Sequence, residues 1–325
     1  MGKLRKKSLF LAMALVLATT FLAGCGSKDQ GTPQQNAGGA ADKKLKVAFS
    51  ISTLNNPYFV TVKEGAEAGA KEVGYDLVLA DAQNDSNKQI SDVENFISQK
   101  TDLIIINPVD SDAVVPAIQE ANKAGIPVVT WNRKANGGEV AAHISFDEIK
   151  TGTMLGEYLA KALNGKGKVA ELQGVMGTDV AQDRSKGFSE VLKNYPELKL
   201  VAQLSANFDR AQGMKVMEDI LQANPDIDAV YAANDEMALG AISAIEAAGK
   251  LSKIKVLGVD ATEEGLKALK EGKILADVSL PPYFFGKKAL EVAKQVMDGT
   301  LKEKVIIVPS TLVTKENVET VKVRD

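Results

Sequence analysis

The sequence predicts an α/β protein made of two doubly wound, Rossmann-like lobes, each with a parallel sheet covered by helices. Short apolar runs typical of buried strands alternate with segments of helical periodicity along most of the 325 residues. One such series ends near residue 148, and a similar series follows it. Because the two series together are too long for one comfortable sheet, we expect two lobes.

The first series has clear start and stop signals for its helices. An apolar run over 45–51 predicts a strand, after which Asn56 is suited to a helix N-cap and Pro57 to the first helical turn. Gly74 is predicted to end that helix. The other predicted elements of this series are strands over 75–80, 103–106 and 126–131, and helices with the apolar faces Ile90, Val93, Ile97 and Val114, Ile118, Ala121.

The second series repeats the alternation. Asp260 follows its last strand and precedes a helix expected to begin near Thr262. The predicted helices cover 149–163, 181–194, 210–223 and 238–248, and the predicted strands cover 168–172, 198–204, 229–232 and 255–259.

Composition limits the chemistry that the chain can perform. His143 is the single histidine and lies in an apolar run, which favours a packed strand residue over a general base or metal ligand. Because the chain has a single cysteine, it cannot form an intramolecular disulfide. Since that cysteine is the expected lipid acceptor, His/Cys metal sites and Cys/His nucleophile pairs are also excluded. Glycine-rich phosphate loops are missing, and a net charge of −3 gives no reason to expect nucleic acid. Binding without a cofactor or metal is therefore favoured over catalysis.

The N-terminus has the pattern of an export signal. Basic residues precede an apolar run over 9–22, which is too short to span a bilayer comfortably. The run ends in Leu-Ala-Gly-Cys, which resembles a bacterial lipobox and makes Cys25 the expected lipidation site; an ordinary signal peptide is the alternative. We expect a lipoprotein signal peptide over 1–25 and a flexible tether over 26–43, with the protein on the outer face of the cytoplasmic membrane.

Polar and aromatic residues follow the carboxyl ends of the predicted strands in both series. Open α/β sheets bind their ligands at this edge. Taken singly, each residue is more simply a helix cap, a core residue or a solvated charge. Together they offer amides, carboxylates, two arginines and aromatic rings, which suit a polyol or sugar better than a phosphate. They include Asn55, Asn56, Tyr58, Phe59, Asn107, Asp110, Asp112, Asn132, Arg133, Arg184, Asn207, Phe208, Asn234, Asp235, Glu236 and Asp260.

Three motifs at these positions resemble the ribose-binding-protein group of periplasmic sugar receptors. They are STLNNPYF at 52–59, NPVDSDAV at 107–114 and ANDEMALGA at 233–241, and the resemblance extends over the chain from about residue 44. It implies the type I periplasmic binding protein fold, with a ligand cleft between two lobes joined by three crossings. The implied lobes are 44–146 with 281–309, and 147–280 with 310–325.

The resemblance also implies the ligand-binding residues. Tyr58 stands where the family usually has phenylalanine, Asn132 where it has aspartate, and Leu280 where it has glutamine. These departures leave ribose, another pentose, a hexose, a ketose such as fructose, or a cyclic polyol open. The implied binding residues are Asn56, Tyr58, Phe59, Asn132, Arg133, Arg184, Phe208, Asn234, Asp260 and Leu280.

The implied function is that of a monomeric receptor that closes on a monosaccharide by hinge bending. It would deliver the sugar to an ABC permease driven by its ATPase subunit, and touch the membrane only through its lipid anchor. A receptor of the same fold for a sugar-like quorum or chemotaxis signal remains an alternative. A weaker alternative is a sugar-modifying enzyme that uses the carboxylates of Asp110, Asp112 or Asp260.

Overall fold

The computed structural model describes residues 44–324. The predicted signal peptide, the Cys25 lipobox and the tether over 26–43 lie outside these residues. Within the described range, no helix is both long enough and apolar enough to cross a membrane.

Strands and helices alternate from residue 46 to residue 297, except that two strands follow one another at 128–145. The strands are β1 (Lys46–Ile51), β2 (Asp76–Asp81), β3 (Leu103–Ile106), β4 (Val128–Trp131), β5 (Ala142–Ser145), β6 (Lys166–Gln173), β7 (Glu197–Ser205), β8 (Ala229–Ala232), β9 (Lys255–Leu257), β10 (Asp277–Ser279), β11 (Val305–Ile307) and β12 (Thr311–Val313). The helices are α1 (Pro57–Val73), α2 (Ser86–Ser98), α3 (Val115–Lys123), α4 (Glu148–Ala162), α5 (Asp179–Leu192), α6 (Arg210–Ala223), α7 (Asp235–Ala247), α8 (Glu263–Lys270) and α9 (Pro282–Met297), and a short 3-10 helix covers Val318–Thr320.

The first lobe is built on a six-stranded sheet in the order β11-β5-β4-β3-β1-β2, with every pairing parallel. Successive residues of its central strands bury into different clusters. Phe49 and Ile105 join the larger cluster, whereas Ala48 and Ile104 join a separate one. Since neighbouring residues of a strand point to opposite faces, both faces of the sheet are covered, as a doubly wound fold requires.

The second lobe is built on a parallel sheet in the order β7-β6-β8-β9. Parallel bridges from Leu257 to Ala276 and from Asp260 to Ser279 bring β10 beside the end of β9. The last strand, β12, then pairs antiparallel with β10. The loop that contains Asp260 is therefore held between β9 and β10.

The chain passes between the two sheets more than once. After β5 it builds the second sheet, returns through α9 and β11 to the first, and ends with β12 beside β10. Helix α9 packs closely on α1, because a Cβ at Gly286 would lie 2.0 Å from the Val62 carbonyl oxygen. This strand order suits the predicted three crossings, while the exact lobe boundaries remain predictions.

The structure confirms most predicted elements to within a few residues, and the main shifts occur at helix starts. Asn56 caps α1 as predicted, with its Oδ1 accepting from the Tyr58 amide, and Gly74 ends that helix in the left-handed conformation. Helix α7 begins at Asp235 instead of residue 238, since Asn234 caps it. The sequence pattern does not predict α9 or β10 to β12; each of these strands has only three residues, too few to show a period.

Candidate ligand-binding site between the two lobes

A small cavity lies between the lobes, with about 20 Å³ open to the centre of a water-sized sphere. Nine of the ten binding residues predicted from the sequence line it, and only Leu280 does not. Both lobes contribute, with five residues before position 147 and five after it. The lining residues are Asn56, Tyr58, Phe59, Asn132, Arg133, Val180, Arg184, Phe208, Asn234 and Asp260.

The Leu280 side chain is fully buried, and only its backbone contacts the loop that contains Asp260. Its amide donates to the Asp260 carbonyl at 3.4 Å, and the Asp260 amide donates to the Val278 carbonyl at 3.0 Å. The Leu280 side chain is thus part of the core behind the Asp260 loop. Of the ten residues predicted to bind the ligand, Leu280 is therefore the one that the structure places outside the lining.

The start of α1 supplies one wall of the cavity. The Asn56 Oδ1 accepts from the Tyr58 amide at 2.9 Å, and this cap directs the first helical turn into the cleft. The Phe59 ring packs edge-on against Tyr58 and Trp131, with centroids 5.5 and 5.7 Å apart. The Tyr58 hydroxyl is buried and has no hydrogen-bond partner in the described part of the chain. Burial, together with the nearby Asp260, raises the pKa of this phenol, so Tyr58 remains a neutral donor.

The loop after β4 places Asn132 and Arg133. Asn132 adopts a left-handed backbone with φ of 60°, and its amide donates to the Ile144 carbonyl. Asn107, another candidate at a strand end, is fully buried and supports this loop through its Nδ2, which lies 3.4 Å from the Asn132 Oδ1. The structure thus assigns Asn107 a supporting position rather than a place in the lining.

Arg133 lies between two aromatic rings from different lobes. Its guanidinium carbon is 5.8 Å from the Phe59 centroid and 5.7 Å from the Phe208 centroid. Nη1 donates to the carbonyls of Pro108 and Val109, whereas Nε has no partner among residues 44–324. Burial lowers the pKa of Arg133 to about 10, so the group stays charged at neutral pH.

Arg184 projects from α5 and is fixed by a buried ion pair. Its Nε lies 2.6 Å from the Glu148 Oε2, and its Nη1 donates to the Ala233 carbonyl at 2.7 Å. Although burial acts in the opposite direction, the Glu148 carboxylate raises the pKa of Arg184. Glu148 was not among the predicted residues, and its position directly after the Asp147 cap of α4 is the only signal for it in the sequence.

The opposite wall comes from Phe208, Asn234 and Asp260. Phe208 has a left-handed backbone, and its ring lies where a side chain at Gly174 would be, since a Cβ there would come within 1.9 Å of it. The Asn234 Oδ1 caps α7 and its Nδ2 donates to the Phe208 carbonyl at 3.3 Å. Asp260 is 5% exposed, and burial raises its pKa well above the usual range while Arg184 opposes this.

The lobes also touch at the rim of the cavity. The Ser111 amide donates to the Gly177 carbonyl at 3.0 Å, and the Lys134 amide donates to the Asp179 Oδ1 at 2.9 Å. The Asp110 carboxylate caps the turn that follows it and packs against Gly177. The conformation described is therefore closed over the cavity.

A larger groove of about 250 Å³, measured in the same way, runs outside the cavity along the rim. It shares Tyr58 with the cavity, but its other walls include the charged side chains of Glu236, Glu263 and Arg324. Because the smaller cavity is lined by buried polar groups from both lobes, it is the better candidate site. In the part of the chain that is described, no group of three or more His, Cys, Asp or Glu side chains is placed to hold a metal ion.

The known proteins that resemble this chain are solute-binding proteins. Residues 47–301 match the periplasmic binding protein domain family. The chain is 41% identical over 307 residues to the ribose import binding protein RbsB of Bacillus subtilis strain 168, an alignment that covers 94% of this chain and 99% of that protein. An ABC transporter solute binding protein of Bacillus halodurans, solved with bound myo-inositol, superposes with a TM-score of 0.81 at 38% identity, covering 85% of this chain and 96% of that one.

A second solved structure extends the comparison. It is an ABC transporter periplasmic solute binding protein of Actinobacillus succinogenes with bound D-allose. Its TM-score is 0.81 at 33% identity, over 86% of this chain and all of that one.

Proposed function

Because this chain belongs to the periplasmic binding protein family, alongside the ribose import binding proteins, we propose that it is the extracytoplasmic receptor of an ABC sugar importer. The observation that carries the proposal is the cavity between the lobes, where buried amide, carboxylate, guanidinium and aromatic groups converge. Such a site binds one small polyhydroxylated molecule.

The chemistry of the lining matches a monosaccharide. Arg133 and Arg184 supply donors, Asp260 supplies acceptors, and the amides supply both, so vicinal hydroxyls find partners in pairs. The rings of Phe59 and Phe208 can cover the C–H faces of a sugar ring from opposite lobes. A phosphate would need more cations than these two arginines, of which Arg184 is already neutralised by Glu148.

We further propose ribose or a related pentose or hexose as the ligand class, with cyclic polyols as the nearest alternative. The relatives named above are a ribose import protein and proteins solved with myo-inositol and D-allose. Tyr58 adds a buried hydroxyl, and Asn132 an uncharged amide, at positions where the family pattern has phenylalanine and aspartate. These two changes are where selectivity among such sugars is expected to differ.

The proposed mechanism is capture by hinge closure, with no chemistry on the ligand. A sugar in the cavity touches both lobes and therefore stabilises the closed conformation. Asp260 is the only carboxylate that lines the cavity within the described residues. Asp110 and Asp112 lie outside the lining, so the pair of carboxylates that a glycosidase-type mechanism requires is not assembled from them.

Delivery to a membrane permease and its ATPase completes the proposal. Lipidation of Cys25 and the tether over 26–43 would hold a monomeric receptor at the outer face of the membrane. Anchoring raises the local concentration of receptor near the permease, which favours productive encounters.

Thermal shift measurements on the purified protein test this function. We expect one or more of ribose, xylose, arabinose, allose, galactose, glucose, fructose and myo-inositol to raise the melting temperature, because binding to the folded state alone stabilises it. Asp260→Asn should weaken binding of that ligand by at least about tenfold, since a buried hydrogen-bond acceptor is lost.

Asp112→Asn is the matched control and should leave affinity unchanged, because Asp112 follows a strand end without lining the cavity. Absence of a shift with every compound would contradict a sugar receptor. Equal losses in both variants would contradict the assigned role of Asp260.

A further inference from the structure

Two fully buried carboxyl groups lie directly behind the Asp260 loop. Asp235 is the first residue of α7, and Asp277 is the first residue of β10. Both are 0% exposed, and neither lines the cavity. Buried carboxyl groups are costly unless they are paired or protonated, so this arrangement needs a physical explanation.

One oxygen of each carboxyl group holds the backbone next to Asp260. The Asp235 Oδ2 accepts from both the amide and the hydroxyl of Thr262 at 2.7 Å. The Asp277 Oδ1 accepts from the Ala261 amide at 3.2 Å. The two residues that follow Asp260 are thus attached to this carboxyl pair.

The other oxygen of each group has no donor. The Asp235 Oδ1 and the Asp277 Oδ2 are both buried without a hydrogen-bond partner from the described residues. They approach the same point, since a Cβ at Gly258 would lie 2.7 Å from the first and 3.3 Å from the second. Two ionised carboxylates so close together and so deeply buried repel each other, whereas a single proton between them satisfies both oxygens.

We propose that Asp235 and Asp277 share one proton, donated by Asp277, and that this pair is a positioning device for the Asp260 loop. The proposal rests on the proposed function in one respect, namely that Asp260 contacts the sugar. Burial, followed by the charge of Asp235, raises the pKa of Asp277 well above its usual range, which agrees with Asp277 as the protonated partner.

The loop needs such support because its backbone is unfavourable. Asp260 has φ of 115° and Ala261 has φ of 53°, in a region that residues with a side chain rarely adopt. Hydrogen bonds to the amides of Ala261 and Thr262 hold the chain just after this turn. Without them the loop would relax, and the Asp260 carboxylate would leave its place in the cavity.

The surrounding charges favour retention of the shared proton. Glu236 of α7 faces Asp235, and Asp260 faces Asp277, and each of these negative charges raises the pKa of its neighbour. Arg210 pairs with Glu236 at 2.6 Å. The nearest buried cation, Arg184, acts on Asp260 and is itself paired with Glu148.

A shared proton predicts a specific pH dependence of stability without any sugar. An unfolded aspartate has a pKa of about 3.9, so above pH 5 the folded protein retains a proton that the unfolded chain has lost. Because the pKa of the carboxyl pair is higher in the folded protein than in the unfolded chain, the free energy of unfolding decreases as pH rises. In Asp277→Asn, the side-chain amide donates to Asp235 in place of that proton and does not titrate.

The first experiment is chemical unfolding of wild type and Asp277→Asn between pH 5 and 7 in the absence of sugar. As pH rises, the ratio of their unfolding equilibrium constants is expected to change in favour of the folded variant, by up to about tenfold per pH unit while the folded pair retains its proton. Asp85→Asn, which replaces the exposed N-cap of α2, is the control. Its free energy of unfolding should change with pH in parallel with that of wild type. Parallel curves for Asp277→Asn and wild type would overturn the shared proton.

The second experiment tests positioning through sugar affinity, with the tightest ligand from the thermal shift series. Asp277→Asn is expected to keep the wild-type affinity within about threefold, because it preserves both hydrogen bonds. Asp277→Val, of similar shape but without polar atoms, should lose at least about tenfold. If this variant does not fold, Asp277→Ser, which is too short to make both bonds, replaces it with the same expectation.

The two experiments separate the two proposals. Wild-type affinity in Asp277→Val or Asp277→Ser would overturn the positioning role. If no sugar binds to wild type, the proposed function fails, while the unfolding experiment still decides whether the proton is shared.

Discussion

At the scale of single residues, the site is held together by polar groups that already have protein partners. Glu148 neutralises and orients Arg184, and Asn234 holds both α7 and the backbone of Phe208. Because these partners fix the side chains before any ligand arrives, little rotamer freedom remains to be lost on binding. The Tyr58 hydroxyl and the Arg133 Nε have no partner among residues 44–324 and are available to a ligand.

His143 gives a residue-scale prediction for acid stability. Burial lowers its pKa from 6.5 to about 4, while its Nδ1 lies 2.9 Å from the Thr130 hydroxyl and its Nε2 has no partner in the described chain. Between pH 6.5 and 4, His143 is protonated in the unfolded chain but remains largely neutral in the folded protein. The free energy of unfolding should therefore fall by about 3 kcal/mol between pH 6.5 and 4 because of this residue.

Urea unfolding at a series of pH values checks this prediction. His143→Gln removes the titrating ring, so its free energy of unfolding should change less steeply than that of wild type over the same range. Identical slopes for the two proteins would show that His143 is protonated in the folded state.

At the scale of elements, the contact between α1 and α9 positions the Tyr58–Phe59 wall. A Cβ at Gly286 would lie 2.0 Å from the Val62 carbonyl oxygen, and one at Gly65 would lie 2.0 Å from the Tyr283 carbonyl oxygen. Because Gly65 of α1 and Gly286 of α9 have no side chains, the backbones of the two helices come into direct contact. Since α1 begins at the cavity, a shift of this helix would also move its first turn.

Gly286→Ala is expected to destabilise the protein by about 3 kcal/mol, because the added methyl group must displace a backbone carbonyl. Gly272→Ala is the comparison, since Gly272 has φ of 76° but open space around its Cβ direction. That change should cost only the strain of a left-handed residue, about 1 kcal/mol. Denaturant unfolding of both variants measures the difference, and equal losses would mean that the helices adjust without strain.

At the scale of the whole molecule, the two lobes have the cavity between them and are joined at its rim by weak contacts. Among the described residues, the hydrogen bonds that join the lobes at the rim include Lys134 to Asp179 and Ser111 to Gly177. Arg324 pairs with Glu64 of α1 and with Glu263 of α8, but all three side chains are largely exposed, and such pairs contribute little. A ligand in the cavity would therefore decide the balance between open and closed conformations.

Small-angle X-ray scattering tests this balance. We expect the radius of gyration to decrease when the tightest sugar is added, because only a ligand that contacts both lobes shifts the equilibrium. Asp260→Asn should reduce this compaction at the same sugar concentration. Unchanged scattering at a saturating concentration would contradict hinge closure.

Much of the site could be predicted because a strand end is visible in the sequence. The residues after β1, β4 and β8 follow clear apolar runs, and parallel topology brings these ends together. Leu280 does not line the cavity, and the sequence does not show that its side chain lies in the core. Glu148, Gly174 and the pairing of Asp235 with Asp277 could not be predicted, since each depends on a contact between residues more than 30 positions apart.

The sequence by itself determined the α/β class, the order of most elements, the family and nine of the residues that line the cavity, because strand periodicity, helix caps and motifs are local properties. The tertiary structure alone decided which polar groups are already satisfied, which remain available to a ligand, and how the Asp260 loop is supported. Those outcomes depend on distances across the fold, and burial turns a carboxylate that is ordinary in water into a group that must find a partner or keep its proton.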